Sequence, residues 1–136
     1  MAQLMDRFAS RLMIGVIAAA AMLGGCNNPA GSSNTTTDTF NGTLTATGFD
    51  SHSFVVNNSG EVDATLTSLS PQSTITVGFG LGQPTTTGCS LFSYTESARV
   101  GSVLSGTIGT GSYCVTVYDV GNVSGSESYT VTVAHP

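Results

Sequence analysis

The chain has 136 residues and a formal net charge of −5 at pH 7, with eight acidic residues against three basic ones. This length allows one domain of about 100 residues once terminal segments are set aside, and it leaves no room for a second. The chain has no lysine, and Arg99 is the only basic residue after residue 25, not counting histidines. That balance argues against nucleic-acid binding and against electrostatic docking on anionic lipid, because both need Lys or Arg.

Residues 1–25 have the composition of an export signal. Arg7 and Arg11 precede the apolar run 12–23, and small residues and Cys26 follow it. The apolar run is shorter than the roughly 20 residues that a transmembrane helix needs. We therefore predict a signal peptide that is removed, rather than a membrane-spanning helix.

The sequence LGGC at residues 23–26 resembles the lipobox of bacterial lipoproteins, in which cleavage occurs just before the cysteine and the cysteine is lipid-modified. The resemblance implies a mature chain that begins at Cys26 and is held at a membrane by its acyl chains. An ordinary secretory signal followed by an unmodified cysteine is the alternative. Asn27, in place of the aspartate that retains enteric lipoproteins at the inner membrane, favours the outer membrane in a cell that has one.

The three cysteines predict one disulfide. If Cys26 is lipidated, Cys89 and Cys114 remain as a pair in an oxidising compartment, where disulfides persist. A bridge that closes a loop of about 25 residues stabilises a domain by roughly 3.5 kcal/mol in the chain-entropy model. A redox or metal site is the alternative, but the chain has no CxxC motif and few further ligands for a metal.

Residues 26–39 are predicted to be the lipidated cysteine and a flexible linker, because 27–39 contain no large apolar residue. Residues 40–136 instead show short runs of alternating apolar and polar residues, separated by turn residues. The candidate strands are 40–47, 51–58, 61–69, 74–82, 89–94, 98–108, 112–120 and 128–135. We therefore predict an all-β fold, a single antiparallel jelly-roll-like β-sandwich of about eight short strands with one disulfide.

The last two candidate strands have matching apolar faces and are predicted to pair with each other across the loop 119–127. Their inward faces would be Tyr113, Val115 and Val117 in one strand and Tyr129, Val131 and Val133 in the other. Cys114 would then point to the opposite face of its strand.

Residues 39–134 resemble the pre-peptidase C-terminal domains of bacteria. The family pattern has an opening F-x-G-x-L, a histidine or tyrosine before Phe-x-Val, a Gly-x-hydrophobic strand and a closing G-x-Y-x-V-x-V-Y with Y-x-V-x-V. The matching residues are Phe40, Gly42, Leu44, His52, Phe54, Val56, Gly60, Val62, Gly111, Tyr113, Val115, Val117, Tyr118, Tyr129, Val131 and Val133. The resemblance implies a small β-sandwich of an exported protein. The segment TITVGFGLGQ lacks the carboxylates of the family's D-x-D-L-Y strand, and the family's calcium or collagen ligands are not matched.

Calcium is the one cofactor that the sequence suggests. Asp119 and Asn122 lie in the loop DVGN and offer side-chain oxygens, and Asp38 and Asp50 could complete a cluster if the start of the domain lies nearby. The alternative is that Asp119 and Asn122 bond their own turn, as Asp and Asn commonly do.

No catalytic residue is predicted. The only histidines are His52 and His135, and there is no G-x-S-x-G nucleophile elbow. Glu61 and Asp63 could form a carboxylate pair for sugar hydrolysis, but solvated positions on a strand are the more common role. We therefore expect a protein without catalysis of its own, with a small hydrolase as the least favoured alternative.

The aromatic residues could form a platform for a carbohydrate or peptide, although most should be core: Phe79, Phe92, Tyr94, Tyr113, Tyr118 and Tyr129. The glycines of GFGLG (78–82) are interpreted as a strand face that lets another element pack closely. Together these features predict a lipid-anchored envelope protein that serves as an interaction or accessory module. Its expected partner is an envelope protein or polysaccharide of unknown identity, and a carbohydrate- or calcium-dependent binding domain is the alternative.

Overall fold

The computed structural model describes residues 34–136. The signal peptide, Cys26 and most of the predicted linker lie outside the described residues, so these remain predictions. Residues 34–136 include no helix with the length and hydropathy of a membrane span.

Eight strands make up the described part of the chain: β1 (Thr36–Thr45), β2 (Phe49–Val56), β3 (Gly60–Ser70), β4 (Val77–Thr85), β5 (Gly88–Ala98), β6 (Val103–Ile108), β7 (Gly111–Tyr118) and β8 (Ser126–His135). Each corresponds to one predicted strand. The domain begins earlier than the predicted boundary at residue 40, because residues 36–39 already pair with β8. Their threonines lack apolar bulk but suit a strand, since β-branched side chains favour extended backbone.

The strands form two four-stranded antiparallel sheets. The first sheet has the order β1-β8-β3-β6 and the second sheet has the order β2-β7-β4-β5. The pairs β1–β8, β2–β7, β3–β6 and β4–β5 are nested along the chain around the β4–β5 hairpin. This nested pairing is the jelly-roll arrangement, so the predicted fold class is confirmed.

The predicted pairing of the last two strands is wrong. β7 pairs with β2 and β4, whereas β8 pairs with β1 and β3 in the other sheet. The matching apolar faces do reach one common core, because Val115, Val117, Val131 and Val133 are all buried. Alternation tells which face of a strand is buried, but two strands that face each other across a sandwich show the same pattern as two hydrogen-bonded neighbours.

The core fills the space between the sheets. Its largest fully buried apolar side chains include Phe79, Leu44, Leu66 and Leu81. The chain has no tryptophan, so no aromatic side chain larger than that of tyrosine contributes to the core. Val77, Phe79 and Leu81 of β4 point into this core, so the alternate residues of that strand face outward.

Candidate functional site

An open cleft of about 550 Å³ lies on the outer face of the second sheet. Phe49 and Ser51 of β2 and Thr116 and Tyr118 of β7 form one part of its lining. The β4–β5 hairpin, including Leu91, supplies the opposite wall, and the β1–β2 turn closes one end. The cleft therefore takes lining residues from all four strands of this sheet and from two turns.

The glycines of β4 explain why side chains can lie flat along this face. A Cβ at Gly78 would clash with the ring of Tyr118, and a Cβ at Gly80 would clash with the side chain of Leu91. Both glycines are buried beneath those two side chains. The interpretation of GFGLG as a surface for close packing is consistent with these contacts, and the packing elements are Tyr118 and Leu91.

Phe49 is the most exposed aromatic side chain of the cleft. It is 63% exposed and lies directly opposite Tyr118 in the β2–β7 register. Phe49 was not among the predicted site residues, because its predicted strand began at Ser51. The signal was nevertheless present: Phe49 alternates with Ser51 on the strand face opposite the buried Phe54.

The predicted aromatic platform divides between core and surface. Phe79, Tyr113 and Tyr129 are buried, as expected for core residues. Tyr118 lines the cleft. Tyr94 is 61% exposed and lies opposite Gly80 in the β4–β5 register, on the same outer face as Tyr118. Phe92 is 54% exposed and contacts Tyr113 instead.

Hydroxyl groups supply most of the polar lining of the cleft. Ser51 Oγ and Thr116 Oγ1 lie 2.6 Å apart and form a hydrogen bond. Burial raises the pKa of the Tyr118 phenol, and the nearby Glu96 and Tyr94 raise it further. Tyr118 is therefore neutral at physiological pH and can both donate and accept hydrogen bonds.

Asp119 joins the loop after β7 to the β1–β2 turn through hydrogen bonds at one end of the cleft. Its Oδ2 accepts the backbone N–H of Thr47 at 2.8 Å. Its Oδ1 accepts the N–H groups of Gly121, Asn122 and Val123 at 2.8, 2.9 and 3.0 Å. These hydrogen bonds, of which that from Thr47 contributes most, lower the pKa of Asp119 to about 2.

The same loop makes hydrogen bonds with two neighbouring segments, at Thr47 and at Thr76. Thr47 has φ of 59°, a left-handed conformation that is uncommon for a β-branched residue. The Asn122 side chain donates to the backbone oxygen and the hydroxyl of Thr76 at 3.0 and 2.7 Å. Asp119 and Asn122 thus bond the local backbone, which supports the structural alternative, while their binding of calcium stays a prediction.

Asp38 and Asp50 do not join Asp119 in a cluster, so that part of the calcium prediction is wrong. Asp38 lies 3.1 Å from His135, and Asp50 accepts a hydrogen bond from Tyr129. Both aspartates sit on strand positions that face the space between the sheets. Among residues 34–136, no three His, Cys, Asp or Glu side chains come together as a metal site would need.

These inward-facing polar groups form a polar seam, which we define as Asp38, Asp50, His52, Tyr129 and His135. The Tyr129 hydroxyl donates to Asp50 Oδ2 at 2.6 Å, and His52 Nε2 lies 2.7 Å from the same hydroxyl. Because the phenol proton is given to Asp50, His52 donates from Nε2. Burial, followed by the interaction with Asp50, raises the pKa of Tyr129.

Three of the side chains considered as catalytic candidates, His52, His135 and Asp63, contact other residues of the protein. His135 is buried against Phe54 and His52 stacks on Phe40. Asp63 accepts a hydrogen bond from Ser105. Glu61 and Asp63 line a separate cleft of about 480 Å³ at the start of β3, which holds neither histidine.

The predicted disulfide between Cys89 and Cys114 is present, with Cα atoms 5.9 Å apart. Cys89 lies at the start of β5 and lines the cleft, while Cys114 is buried in β7. The bridge therefore attaches the hairpin wall of the cleft to β7, which lines the cleft through Thr116 and Tyr118.

Comparison with known proteins identifies relatives in structure only. No family model matches the chain, and neither does any curated protein. The pre-peptidase C-terminal domain of a collagenase from Bacillus anthracis is similar, with a TM-score of 0.51 and 18% identity over 69% of this chain and 87% of that one. Aeromonas hydrophila PliG, a periplasmic inhibitor of g-type lysozyme, is similar with a TM-score of 0.51 and 13% identity over 72% of this chain and 84% of that one. The chain therefore has the β-sandwich fold of pre-peptidase C-terminal domains, as the sequence resemblance implied.

Proposed function

We propose that this chain is a non-catalytic binding module of the bacterial cell envelope, held at a membrane through lipid on Cys26, and that it binds its ligand in the cleft of the second sheet. The observation that supports this function most directly is the exposure of Phe49 beside Tyr118 in an open cleft. Apolar and aromatic linings with a few polar groups are typical of ligand sites. An exposed phenylalanine contributes nothing to the core, so its position favours a role in binding.

The histidines and tyrosine that could act as acids or bases are already bonded to other residues, and this supports the absence of catalysis. A general base must reach a substrate proton, and a nucleophile must be exposed beside it. In the polar seam His52 and Tyr129 bond each other, and His135 bonds Asp38. The groups that could do acid–base chemistry therefore serve the packing between the sheets.

The export and anchoring part of the proposal rests on the disulfide and on the lipobox resemblance at residues 23–26. Mass spectrometry of the mature chain should find a diacyl or triacyl cysteine at Cys26. An unmodified N-terminus at that residue would contradict the anchor while leaving the cleft proposal intact.

Retention on native envelope material tests the cleft. We expect Phe49→Ala to reduce retention of the full chain at least about tenfold, which is the usual cost of losing a central aromatic contact. Phe92→Ala is the matched control, since Phe92 is also an exposed aromatic residue but does not line the cleft. Equal retention of both variants and the wild type would refute the cleft as the binding site.

A second candidate function is the binding of a basic protein. Of the eight acidic residues in the chain only Asp6 precedes the described part, which holds seven carboxylates and one arginine. The similar fold of a periplasmic lysozyme inhibitor is compatible with such a role. Binding by charge should weaken as salt rises and should fall in Glu61→Gln or Glu96→Gln, whereas binding in the cleft should depend little on salt.

A further inference from the structure

Two aromatic side chains of the cleft, Phe49 and Tyr118, form a row across the second sheet with Tyr94, which lies outside the cleft lining. Phe49 on β2 is opposite Tyr118 on β7, and Tyr118 is opposite Gly78 on β4. Tyr94 on β5 is opposite Gly80, two residues further along β4. Directly opposed residues share one face of a sheet, so all these positions face outward. The row crosses three strand spacings, or about 14 Å.

Gly78 and Gly80 of β4 keep the surface along this row shallow. Because Gly78 and Gly80 have no side chains, the Tyr118 ring lies over one and Leu91 lies over the other. The surface between Phe49 and Tyr94 is therefore shallow and partly aromatic. An extended ligand could lie across several strands at once, whereas a compact ligand would use only part of the row.

The polar groups beside the row are hydroxyls. Ser51 and Thr116 form a pair, and Thr47, Thr85 and Thr87 also line the cleft. Each hydroxyl can donate one hydrogen bond and accept two, so the lining matches a ligand whose own groups both donate and accept. An aromatic face is electron-rich and attracts the weakly positive C–H groups of an apolar ring face.

The charges exclude an anionic ligand. Asp119 is the one charged side chain among the described residues that line the cleft, and it is negative. Arg99 is the only arginine in the described part of the chain, and its guanidinium donates to the backbone of Thr74 rather than to any group of the cleft. A uronic acid, sulfated sugar or acidic peptide would meet no cation there.

From this combination we infer that the cleft binds a neutral polysaccharide chain, whose sugar rings stack on Phe49 and Tyr118 while their hydroxyls bond Ser51, the accessible member of the Ser51–Thr116 pair. This inference rests on the proposed function and names its ligand class. Tyr94 lies further along the row and contacts an additional sugar, so affinity increases with the length of the oligosaccharide.

Titration with neutral glucose oligosaccharides of one to six units, and with the N-acetylglucosamine series, tests the inference. The chain has four tyrosines and no tryptophan, so tyrosine fluorescence can report binding at Tyr118. We expect saturable binding that is stronger for longer chains, at least about tenfold weaker in Phe49→Ala, and unchanged in Phe92→Ala. Tyr94→Ala should weaken the hexamers more than the dimers.

Two results would overturn the inference: no saturable binding in either series, or binding that Phe49→Ala leaves unchanged. Thermal melting of each variant shows that it is folded, as expected for substitutions at exposed positions. If no oligosaccharide binds but Phe49→Ala still loses retention on envelope material, the ligand is of another class, such as a peptide. The inference then fails while the proposed function stands. If retention is unchanged as well, both fail.

Discussion

The cleft and the polar seam place similar side chains in opposite situations. In the cleft, Phe49 and Tyr118 line an open surface with their rings beside free space. In the polar seam, the Tyr129 hydroxyl is buried between Asp50 and His52 and bonds both. A tyrosine on the outer face is available to a ligand, whereas a tyrosine between the sheets is already bonded within the protein.

This difference separates binding from stability. Edge strands β1 and β2 place Asp38, Asp50 and His52 toward the interior, and inward-pointing polar residues on edge strands discourage pairing with another chain. The buried partners His135 and Tyr129 compensate for the desolvation of those groups. Substitutions in the polar seam should therefore change stability alone, and substitution of the exposed cleft residue Phe49 should change binding alone.

The disulfide should affect both stability and binding, because it joins the central strand β7 to the wall of the cleft. The double variant Cys89→Ser, Cys114→Ser should lose about 3.5 kcal/mol of unfolding free energy, as the bridge closes a loop with a sequence separation of 25 residues. Urea unfolding measures the loss. It should also weaken retention on envelope material, since the hairpin wall is no longer attached to β7. A loss below about 1 kcal/mol would contradict the assigned role.

Tyr129→Phe tests the polar seam. The change removes one oxygen and leaves Asp50 and His52 without their shared partner, which should cost about 1–3 kcal/mol. Retention on envelope material should not change. Tyr94→Phe is the matched control: Tyr94 is mostly exposed, so losing its hydroxyl should leave the stability unchanged. Lost binding in folded Tyr129→Phe would contradict the separation of the two regions.

Gly78→Ala tests whether binding in the cleft depends on the position of the Tyr118 ring. The new Cβ would occupy the place of the Tyr118 ring and force it outward, so binding should weaken while unfolding free energy falls by about 1 kcal/mol. Gly106→Ala is the matched control, because Gly106 is also a strand glycine but has open space where a Cβ would lie. Retention on envelope material and thermal melting provide the two measurements. Unchanged retention in Gly78→Ala would show that the position of Tyr118 is unimportant.

The sequence predicted the fold because local alternation decides it. Val62, Ala64 and Leu66, for example, are buried in β3 as their spacing indicates. The cysteine pair was predictable from the count of cysteines. The sheet to which β8 belongs was not predictable in this way, since hydrogen-bonded neighbours and strands across a core have the same alternation.

The cleft was only partly predictable. Tyr118 was among the expected aromatic residues, and the glycines of β4 were identified as a packing surface. Phe49 was missed because it follows Gly48 before the predicted strand begins. Its proximity to the β4–β5 hairpin depends on the wrapping of the whole jelly roll, which no local pattern of residues contains. Asp119 was identified by residue type, but its bond to Thr47 joins positions 72 residues apart.

Asp119→Asn should have the smallest effect on stability, and its effect should depend on pH. The folded-state pKa of about 2 lies below the value near 3.9 of an unfolded chain. The ionised carboxylate therefore stabilises the fold above about pH 4, and this contribution is lost as the pH falls from about 4 toward 2. Because the carboxyl group is close to solvent and partly screened, the loss at pH 7 should be at most about 1 kcal/mol.

Thermal unfolding of the wild type and Asp119→Asn between pH 7 and pH 2 measures this dependence. The two melting curves should differ at pH 7 and converge as the pH approaches 2, whereas Glu61→Gln, at an exposed carboxylate outside the loop, should show no such convergence. Added calcium distinguishes the two roles of the loop, because a bound ion stabilises the folded state by mass action. A rise in melting temperature with calcium that Asp119→Asn abolishes would assign Asp119 to metal binding, and equal curves with and without calcium would assign it to the loop backbone alone.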